Sequence, residues 1–137
     1  MDEGPSQDMQ SVISRQVTRF NKSAFAHMLG MIITEAADGY ARVTMDSVGK
    51  TNPHDVAHGG AIFALADQAF GIAANCAGTD RVAVSVHIQY LAPATGSLVA
   101  IARKKGDNGQ YSLYTVMVYE GERVIAEFDG LALQVLP

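Results

Sequence analysis

The sequence predicts an α+β domain in which an antiparallel sheet wraps around one long central helix, with a further helix near the N-terminus. Residues 58–76 are apolar on nearly every side and contain no proline, so they predict a buried helix of about five turns. The residues after it alternate as strands do, and the short turns between them favour antiparallel pairing. A helix without a polar face must be covered, and the sheet provides that cover.

The elements before the central helix are set by apolar spacing and by turn residues. Ser6 is placed to cap the first helix, Gly30 ends the second, and Asp38-Gly39 predicts a hairpin turn. The predicted elements are a helix over 7–21, a helical turn over 23–29, a buried strand at 31–33, an alternating strand over 40–46 and a polar loop over 49–57.

Long strands with period-two alternation follow the central helix, in addition to the two strands before it. They are separated by breaks at Pro93 and Gly96 and by the turns at 107–109 and 120–122. The predicted strands cover residues 82–91, 98–104, 111–119 and 123–135. One sheet wrapped around one central helix is the hotdog architecture.

Length and composition describe one globular unit. The 137 residues are 48% hydrophobic and 18% charged, which suits a single domain with a real core. We expect residues 1–6 to be disordered and residues 7–137 to form that domain. A net charge of −4 argues against nucleic acid as a general partner, since such proteins usually present a basic face.

The sequence favours a cytoplasmic protein that neither spans a membrane nor holds a disulfide. No apolar run reaches the roughly 18–20 residues that a membrane span needs. The acidic, polar N-terminus is the opposite of a secretory signal. The one cysteine, Cys76, cannot form an internal disulfide, and its apolar surroundings predict a small buried residue.

Asp67 is the residue in the central helix that calls for an explanation. A charge in an apolar helix is costly unless something pairs with it. Its helical neighbours are all small, so a ligand or a partner backbone can approach closely; they are Gly60, Ala64, Gly71 and Ala74. Two readings stay open, a carboxylate hydrogen-bonded at a subunit contact and a carboxylate that does chemistry.

His58, Gly59 and Gly60 open the same helix. Free backbone N–H groups and the positive end of the helix dipole make such a position an oxyanion site, and glycine lets a carbonyl come close. Taken alone, the three residues also fit a glycine-rich turn with no other task. Asn52, in the preceding loop, has an amide for a water or a carbonyl but equally fits an ordinary turn.

Other polar residues give weaker signals. Ser85 and His87 share a strand face, but no acidic residue lies near them in sequence to complete a hydrolase triad. The histidines match no metal-ligand spacing, so we predict no metal; they are His27, His54, His58 and His87.

The helix spacing links function to assembly. Gly59 and Asp67 are eight residues apart, which along a helix amounts to about 12 Å. A donor and a carboxylate that act on one carbonyl must each lie roughly 3 Å from it. If both act, each site pairs Gly59 of one chain with Asp67 of another, and two-fold symmetry gives a dimer two equal sites.

The combined pattern N-x5-H-G-G-x6-D resembles the hotdog thioesterases, in the PaaI-like branch named for phenylacetate catabolism. It is present as Asn52, His58, Gly59, Gly60 and Asp67, and the downstream run VSVHIQYLAPATGSLVA is also similar to the family. The resemblance covers roughly residues 25–135. It implies hydrolysis of an acyl-CoA thioester, without a cofactor, by a homodimer that commonly pairs again into a homotetramer.

The resemblance also implies roles for individual residues. Asp67 matches the family's nucleophile or base, and Gly59 the N–H that polarises the thioester carbonyl. Asn52 matches the loop amide and Ser85 the strand hydroxyl behind the site. Expected contacts with the substrate come from His58 and Gly60 and, at the coenzyme A phosphates, from the basic run Arg103, Lys104 and Lys105, for which a solvated strand end is the alternative.

One departure from the family concerns the loop before the helix. The family often has glycine three residues after the asparagine, where this chain has Asp55. The new charge is expected to alter the loop or to disfavour anionic acyl groups.

Three rival functions remain. A hotdog hydratase or dehydratase would need His58 or His54 to act with a carboxylate. A non-catalytic acyl-CoA-binding regulator would normally carry a DNA-binding unit, for which 137 residues leave no room. A structural protein would leave Asp67 unexplained.

Overall fold

A computed structural model describes residues 4–135 of the chain. A six-stranded sheet curls around one long helix, as predicted, and two shorter helices precede it. The elements are α1 (Gln7–Asn21), α2 (Ala24–Leu29), β1 (Ile32–Ala37), β2 (Tyr40–Asp46), α3 (Gly59–Asn75), β3 (Arg81–Tyr90), β4 (Ser97–Asp107), β5 (Tyr111–Glu120) and β6 (Arg123–Gln134). The strand order is β1-β2-β4-β5-β6-β3, and all neighbours are antiparallel.

The core lies between α3 and the concave face of the sheet. Alanine and other small residues on both surfaces let the helix approach the strands, and ten of the seventeen α3 residues are buried. The Phe70 ring packs on Tyr114 and Phe128, at centroid distances of 5.3 and 5.7 Å. A Cβ at Gly130 would lie only 2.8 Å from that ring, so glycine at this position is what lets Phe70 seat against the sheet. These contacts fix where α3 lies along the strands.

Helix α1 lies against one side of α3. The Ser6 hydroxyl accepts a hydrogen bond from the Met9 N–H at 3.1 Å, which confirms the predicted cap. The Gln68 side chain donates to the Phe20 carbonyl at 3.3 Å, and Gln16 donates to the Asn75 carbonyl at 3.3 Å. Of the segment expected to be disordered, residues 1–3 lie outside the described part of the chain, as do residues 136 and 137.

The first strand differs from its prediction. Met31 and Ile33 are buried, but Ile32 is 52% exposed because successive side chains of a strand point to opposite faces. A run of three apolar residues therefore did not mean three buried ones. The turn at Asp38 and Gly39 is where it was predicted, with Gly39 at a φ of 76°.

Strand β3 forms an edge of the sheet. It pairs with β6 along one side, and its other side has no partner strand among residues 4–135. Val82 and Val84 are 49% and 48% exposed on it. An edge with unpaired backbone groups and apolar side chains is a surface on which another strand can add.

The structure shows no helix within 4–135 long and apolar enough to cross a membrane.

Candidate active site

A cleft of about 360 Å³ opens at the start of α3. It lies between the loop that precedes the helix and the residues that follow β3. Its walls are mainly apolar, with Val56, Ile62, Tyr90, Leu91 and Pro93 among them. Asn52 and Gly59, which offer hydrogen-bonding groups, also line it. The cleft therefore combines an apolar surface with a few hydrogen-bonding groups, as small-molecule sites usually do.

The first turn of α3 leaves one backbone donor free. The His58 carbonyl accepts from the N–H groups of Ala61 and Ile62, at 2.9 and 3.1 Å. The His58 Nδ1 accepts from the Gly60 N–H at 2.8 Å. The Gly59 N–H has no acceptor among residues 4–135. It lies at the positive end of the helix dipole and on the cleft, which is where a developing oxyanion would be stabilised.

His58 is the N-cap of α3 and holds this turn. Its backbone N–H donates to the Lys50 carbonyl at 2.8 Å, so the residue is fixed on both sides. A Cβ at Gly60 would lie 3.1 Å from the His58 Nδ1, so the absence of a side chain there makes room for the ring. The cap uses the Gly60 N–H, which leaves Gly60 without a free donor. Substrate contacts from these two residues stay a prediction, while the capping task was not foreseen.

Tyr90 reaches Gly59 from the end of β3. Its hydroxyl donates to the Gly59 carbonyl at 3.0 Å. A Cβ at Gly59 would lie 3.4 Å from the Tyr90 Cζ, so glycine allows the ring to lie close to the backbone. Sequence alone did not separate Tyr90 from the other rings of the chain. The signal was its position at the last residue of a strand, immediately before the Leu-Ala-Pro break.

Asn52 shapes the loop with its oxygen and keeps its nitrogen free. The Asn52 Oδ1 accepts from the His54 N–H at 2.8 Å and from the Val56 N–H at 3.4 Å. The amide nitrogen makes no hydrogen bond within residues 4–135. An amide has two N–H donors that can be used here. Asn52 therefore serves both as a turn residue and as a candidate donor in the cleft, so the two readings of the sequence are compatible.

Asp55 has a φ of 62° and is the one non-glycine residue with positive φ among those described. Glycine adopts this conformation without steric cost, whereas other residues rarely do, although aspartate tolerates it better than most. The departure from the family's glycine thus falls at a position where the backbone favours glycine. The loop keeps its hydrogen bonds, since the Asp55 N–H donates to the Asn52 carbonyl at 2.9 Å.

Asp67 lies further along α3 and outside the residues that line the cleft. It is exposed and makes no hydrogen bond or ion pair within residues 4–135. Although the residue has solvent contact, the protein around its carboxyl group excludes enough water to raise the pKa of Asp67 above the ordinary aspartate value. A carboxylate with a raised pKa and no hydrogen-bond partner is a candidate general base. A single chain does not bring it to Gly59.

Ser85 is exposed on β3, directly after an irregularity in the pairing between Ala83 and Ser85. Its side chain has no hydrogen-bond partner in the described part of the chain. His87, two residues on, faces Asp129 of β6, an acidic neighbour that sequence distance concealed. The Asp129 carboxylate is already engaged, because it accepts from Lys105 Nζ at 2.8 Å and Thr115 Oγ1 at 3.0 Å. No hydrogen bond joins Ser85, His87 and Asp129 into a triad.

The basic run does not form one patch. Lys105 forms an ion pair with Asp129, and its hydrogen bond lowers the pKa of the Asp129 carboxyl. The Arg103 guanidinium lies over the Tyr40 ring at 4.9 Å. Lys104, which follows it on the opposite side of the strand, pairs with Asp107 at 3.2 Å. Each cation thus has a partner in its own chain, and their contact with phosphates stays a prediction.

Cys76 is buried, as predicted, and its Sγ donates to the Ala37 carbonyl at 3.1 Å. Burial, with a smaller contribution from Asp38, raises the pKa of the thiol to about 11. It therefore stays protonated at neutral pH and is a poor nucleophile. Among residues 4–135 no group of three or more potential metal ligands comes together.

Comparison with known proteins gives one consistent family. The family model of the thioesterase superfamily matches residues 54–104. The acyl-coenzyme A thioesterase PaaI of Escherichia coli K12 is 34% identical over 115 residues, covering 81% of this chain and 82% of that protein. A putative esterase of Deinococcus radiodurans is 35% identical, covering 78% and 76%.

Solved structures agree with the sequence relatives. The structure of the E. coli PaaI protein from the phenylacetic acid degradation operon superposes with a TM-score of 0.87 at 28% identity, covering 93% of this chain and 96% of that one. The TT0310 protein of Thermus thermophilus gives 0.79 at 30% identity, with coverages of 83% and 99%. This chain belongs to the thioesterase superfamily, in the PaaI-like branch of the hotdog fold.

Proposed function

We propose that this chain hydrolyses acyl-CoA thioesters to a carboxylic acid and free coenzyme A. The proposed active unit is a homodimer with two equal sites, each combining Asn52 and Gly59 of one protomer with Asp67 of its partner. The PaaI relative, named as an acyl-coenzyme A thioesterase, supports the substrate class. The reaction needs water and the thioester and uses no cofactor.

The free N–H of Gly59 is the observation that carries the proposal. The other three N–H groups at the start of α3 are hydrogen-bonded to His58, and Gly59 is one of the residues that line the cleft. Two hydrogen bonds to the His58 carbonyl polarise the His58–Gly59 peptide, which makes its N–H a stronger donor. A backbone donor of this kind acts on the oxygen of a tetrahedral intermediate, which is what acyl transfer requires.

Asp67 of the partner protomer supplies the second half of the proposed active site. The helix rise separates it from Gly59 by about 12 Å, too far for both to act on one carbonyl. The unpaired edge of β3, with Val82 and Val84 exposed on it, offers a surface on which a second copy can dock. The exposed side chains of Tyr111 and Leu113, on the opposite face of the sheet from α3, offer surface for pairing two dimers into a tetramer.

The chemistry follows from these positions. Asp67 takes a proton from a water molecule, whose oxygen attacks the thioester carbon while Gly59 and Asn52 donate to the carbonyl oxygen. The tetrahedral intermediate then collapses and the C–S bond breaks, so the acyl carbon keeps the hydroxyl and the thiolate of coenzyme A takes the proton that Asp67 received from water. Ser85 is proposed to orient the water. Direct attack by the Asp67 carboxylate gives the same products through an anhydride.

The hydratase alternative finds less support in the geometry. His58 uses its Nδ1 to cap α3, and His54 does not line the cleft. A non-catalytic binding protein would leave the unpaired Asp67 without a task. The two enzymes differ in product, since a hydratase adds water to an enoyl-CoA and releases no thiol.

The test is release of free thiol from a panel of aryl, short-chain and long-chain acyl-CoA substrates, with enoyl-CoA hydration followed in parallel. We expect thiol release in proportion to protein concentration. Hydration of enoyl-CoA without thiol release would contradict the proposal. In water enriched in ¹⁸O, label found in Asp67 after a single turnover would show that its carboxylate attacked the substrate and that water then opened the anhydride at the aspartyl carbon.

A further inference from the structure

Tyr90 makes a contact that packing does not require. Its side chain is half exposed at the end of the edge strand, and the ring lies on the cleft. Its hydroxyl donates 3.0 Å to the Gly59 carbonyl, and ring atoms lie 3.4 and 3.5 Å from where a Gly59 Cβ would be. The hydrogen bond and the ring contact converge on one residue, the one with the free N–H.

That residue needs support from outside its own helix. Two consecutive glycines, Gly59 and Gly60, open α3, and glycine restricts the backbone less than any other residue. The His58 carbonyl holds the peptide that precedes Gly59, and the His58 ring accepts from the Gly60 N–H, which belongs to the peptide that follows. Tyr90 holds the other side of that following peptide, through the Gly59 carbonyl. Together they hold both peptides that flank the Gly59 Cα.

We propose that Tyr90 is the positioning residue of the oxyanion donor, holding the Gly59 N–H in the orientation that the tetrahedral oxygen needs. This inference rests on the proposed thioesterase function. The Tyr90 hydroxyl does not touch the reacting atoms, and its effect passes through the backbone of Gly59. Its contribution is largest in the transition state, because the carbonyl oxygen accepts its strongest hydrogen bond when it carries charge.

The experiment removes the hydroxyl and keeps the ring. Tyr90→Phe should lower kcat by about 2- to 12-fold, the range expected for one neutral hydrogen bond, with KM for acyl-CoA changed by less than about 2-fold. Tyr119→Phe is the matched control, since the Tyr119 hydroxyl makes no hydrogen bond within residues 4–135 and the residue does not line the cleft. It should leave both constants unchanged.

Two inhibitors separate positioning from ordinary binding. A trifluoromethyl ketone analogue of acyl-CoA adds water to form a gem-diol whose tetrahedral carbon resembles that of the intermediate, whereas a thioether analogue has a methylene in place of the thioester carbonyl. In Tyr90→Phe the Ki of the ketone should rise by the factor lost in kcat/KM, and the Ki of the thioether should stay the same. Equal weakening of both inhibitors, or full activity in Tyr90→Phe, would overturn the inference. A parent protein that releases no thiol from any acyl-CoA would instead refute the proposed function.

Discussion

Gly59 and Asp67 lie on the same helix, yet only Gly59 lines the cleft. The free N–H of Gly59 and the free carboxylate of Asp67 are both needed by the proposed chemistry, and the helix keeps them apart. One protomer therefore presents two half-sites at different places on α3. Each half-site can therefore be altered by mutation without changing the other half-site.

Asp67→Asn should lower the rate of thioester hydrolysis by at least about 100-fold, because an amide cannot take a proton from water. In the parent protein kcat should fall as the pH drops through the raised pKa of Asp67, which lies above the ordinary aspartate value of about 3.9. A pH–rate profile of kcat measures this limb. An Asp67→Asn variant with parental activity would remove Asp67 from the mechanism.

The same substitution should raise stability at neutral pH. Withdrawal from solvent raises the folded-state pKa of Asp67, so the group contributes stability below its unfolded pKa and loses that contribution as the pH rises through the folded value. At pH 7 the folded parent holds a partly desolvated charge at Asp67, which costs stability, and the neutral asparagine of the variant does not have this cost. Melting temperatures should therefore differ in favour of Asp67→Asn at pH 7 and converge as the pH falls below the ordinary aspartate value of about 3.9. A lower melting temperature for the variant at pH 7 would contradict the desolvation account.

His58→Ala should destabilise the chain by about 0.5–2 kcal/mol, since the Gly60 N–H loses its acceptor at the helix N-cap. His58→Asn should recover most of that loss, because asparagine is a preferred N-cap residue. His54→Ala is the matched control, as the His54 ring has no partner within residues 4–135. Urea denaturation of the three variants gives the comparison. Equal losses for His58→Ala and His54→Ala would show that the cap has no role in stability.

Asp55→Gly should stabilise the chain by about 0.5–1 kcal/mol, because it relieves a left-handed conformation at some cost in unfolded-state entropy. Asp80→Gly is the comparison: because the φ of Asp80 is not in the left-handed region, this substitution should instead lower the stability of the chain. If Asp55 also screens acyl groups by charge, Asp55→Gly should improve kcat/KM for a dicarboxylic acyl-CoA relative to its neutral counterpart. Unchanged selectivity would leave Asp55 with a conformational role alone.

The fold could be predicted because its strongest signals are local. An apolar helix with no polar face and strands with period-two alternation leave few other arrangements. Ile32 shows the limit of that reasoning, because a short apolar run gives no alternation from which to assign the exposed face. The N-cap role of His58 needed side-chain geometry that no spacing rule supplies.

The residues of the candidate site could be named from the sequence only in part, for a similar reason. The motif on α3 named Gly59 and Asp67, since both lie in one element. The contact from Tyr90 to Gly59 and the placement of His87 opposite Asp129 join residues that are distant in sequence. Both depend on strand register, which sequence patterns fix only when one face is clearly buried, and β3 is an exposed edge strand.

The shared site can be tested by mixing two inactive proteins, Asn52→Ala and Asp67→Ala, unfolded together and reassembled at equal concentration. If Asn52 and Gly59 act with Asp67 of the partner, each mixed dimer has one doubly damaged site and one intact site. Random pairing makes about half of the dimers mixed, so about a quarter of all sites should be whole. We therefore predict recovery of about a quarter of the parental activity. If mixed dimers form, as mass spectrometry of the native assembly can show, and activity does not exceed the average of the two variants, the shared site is wrong.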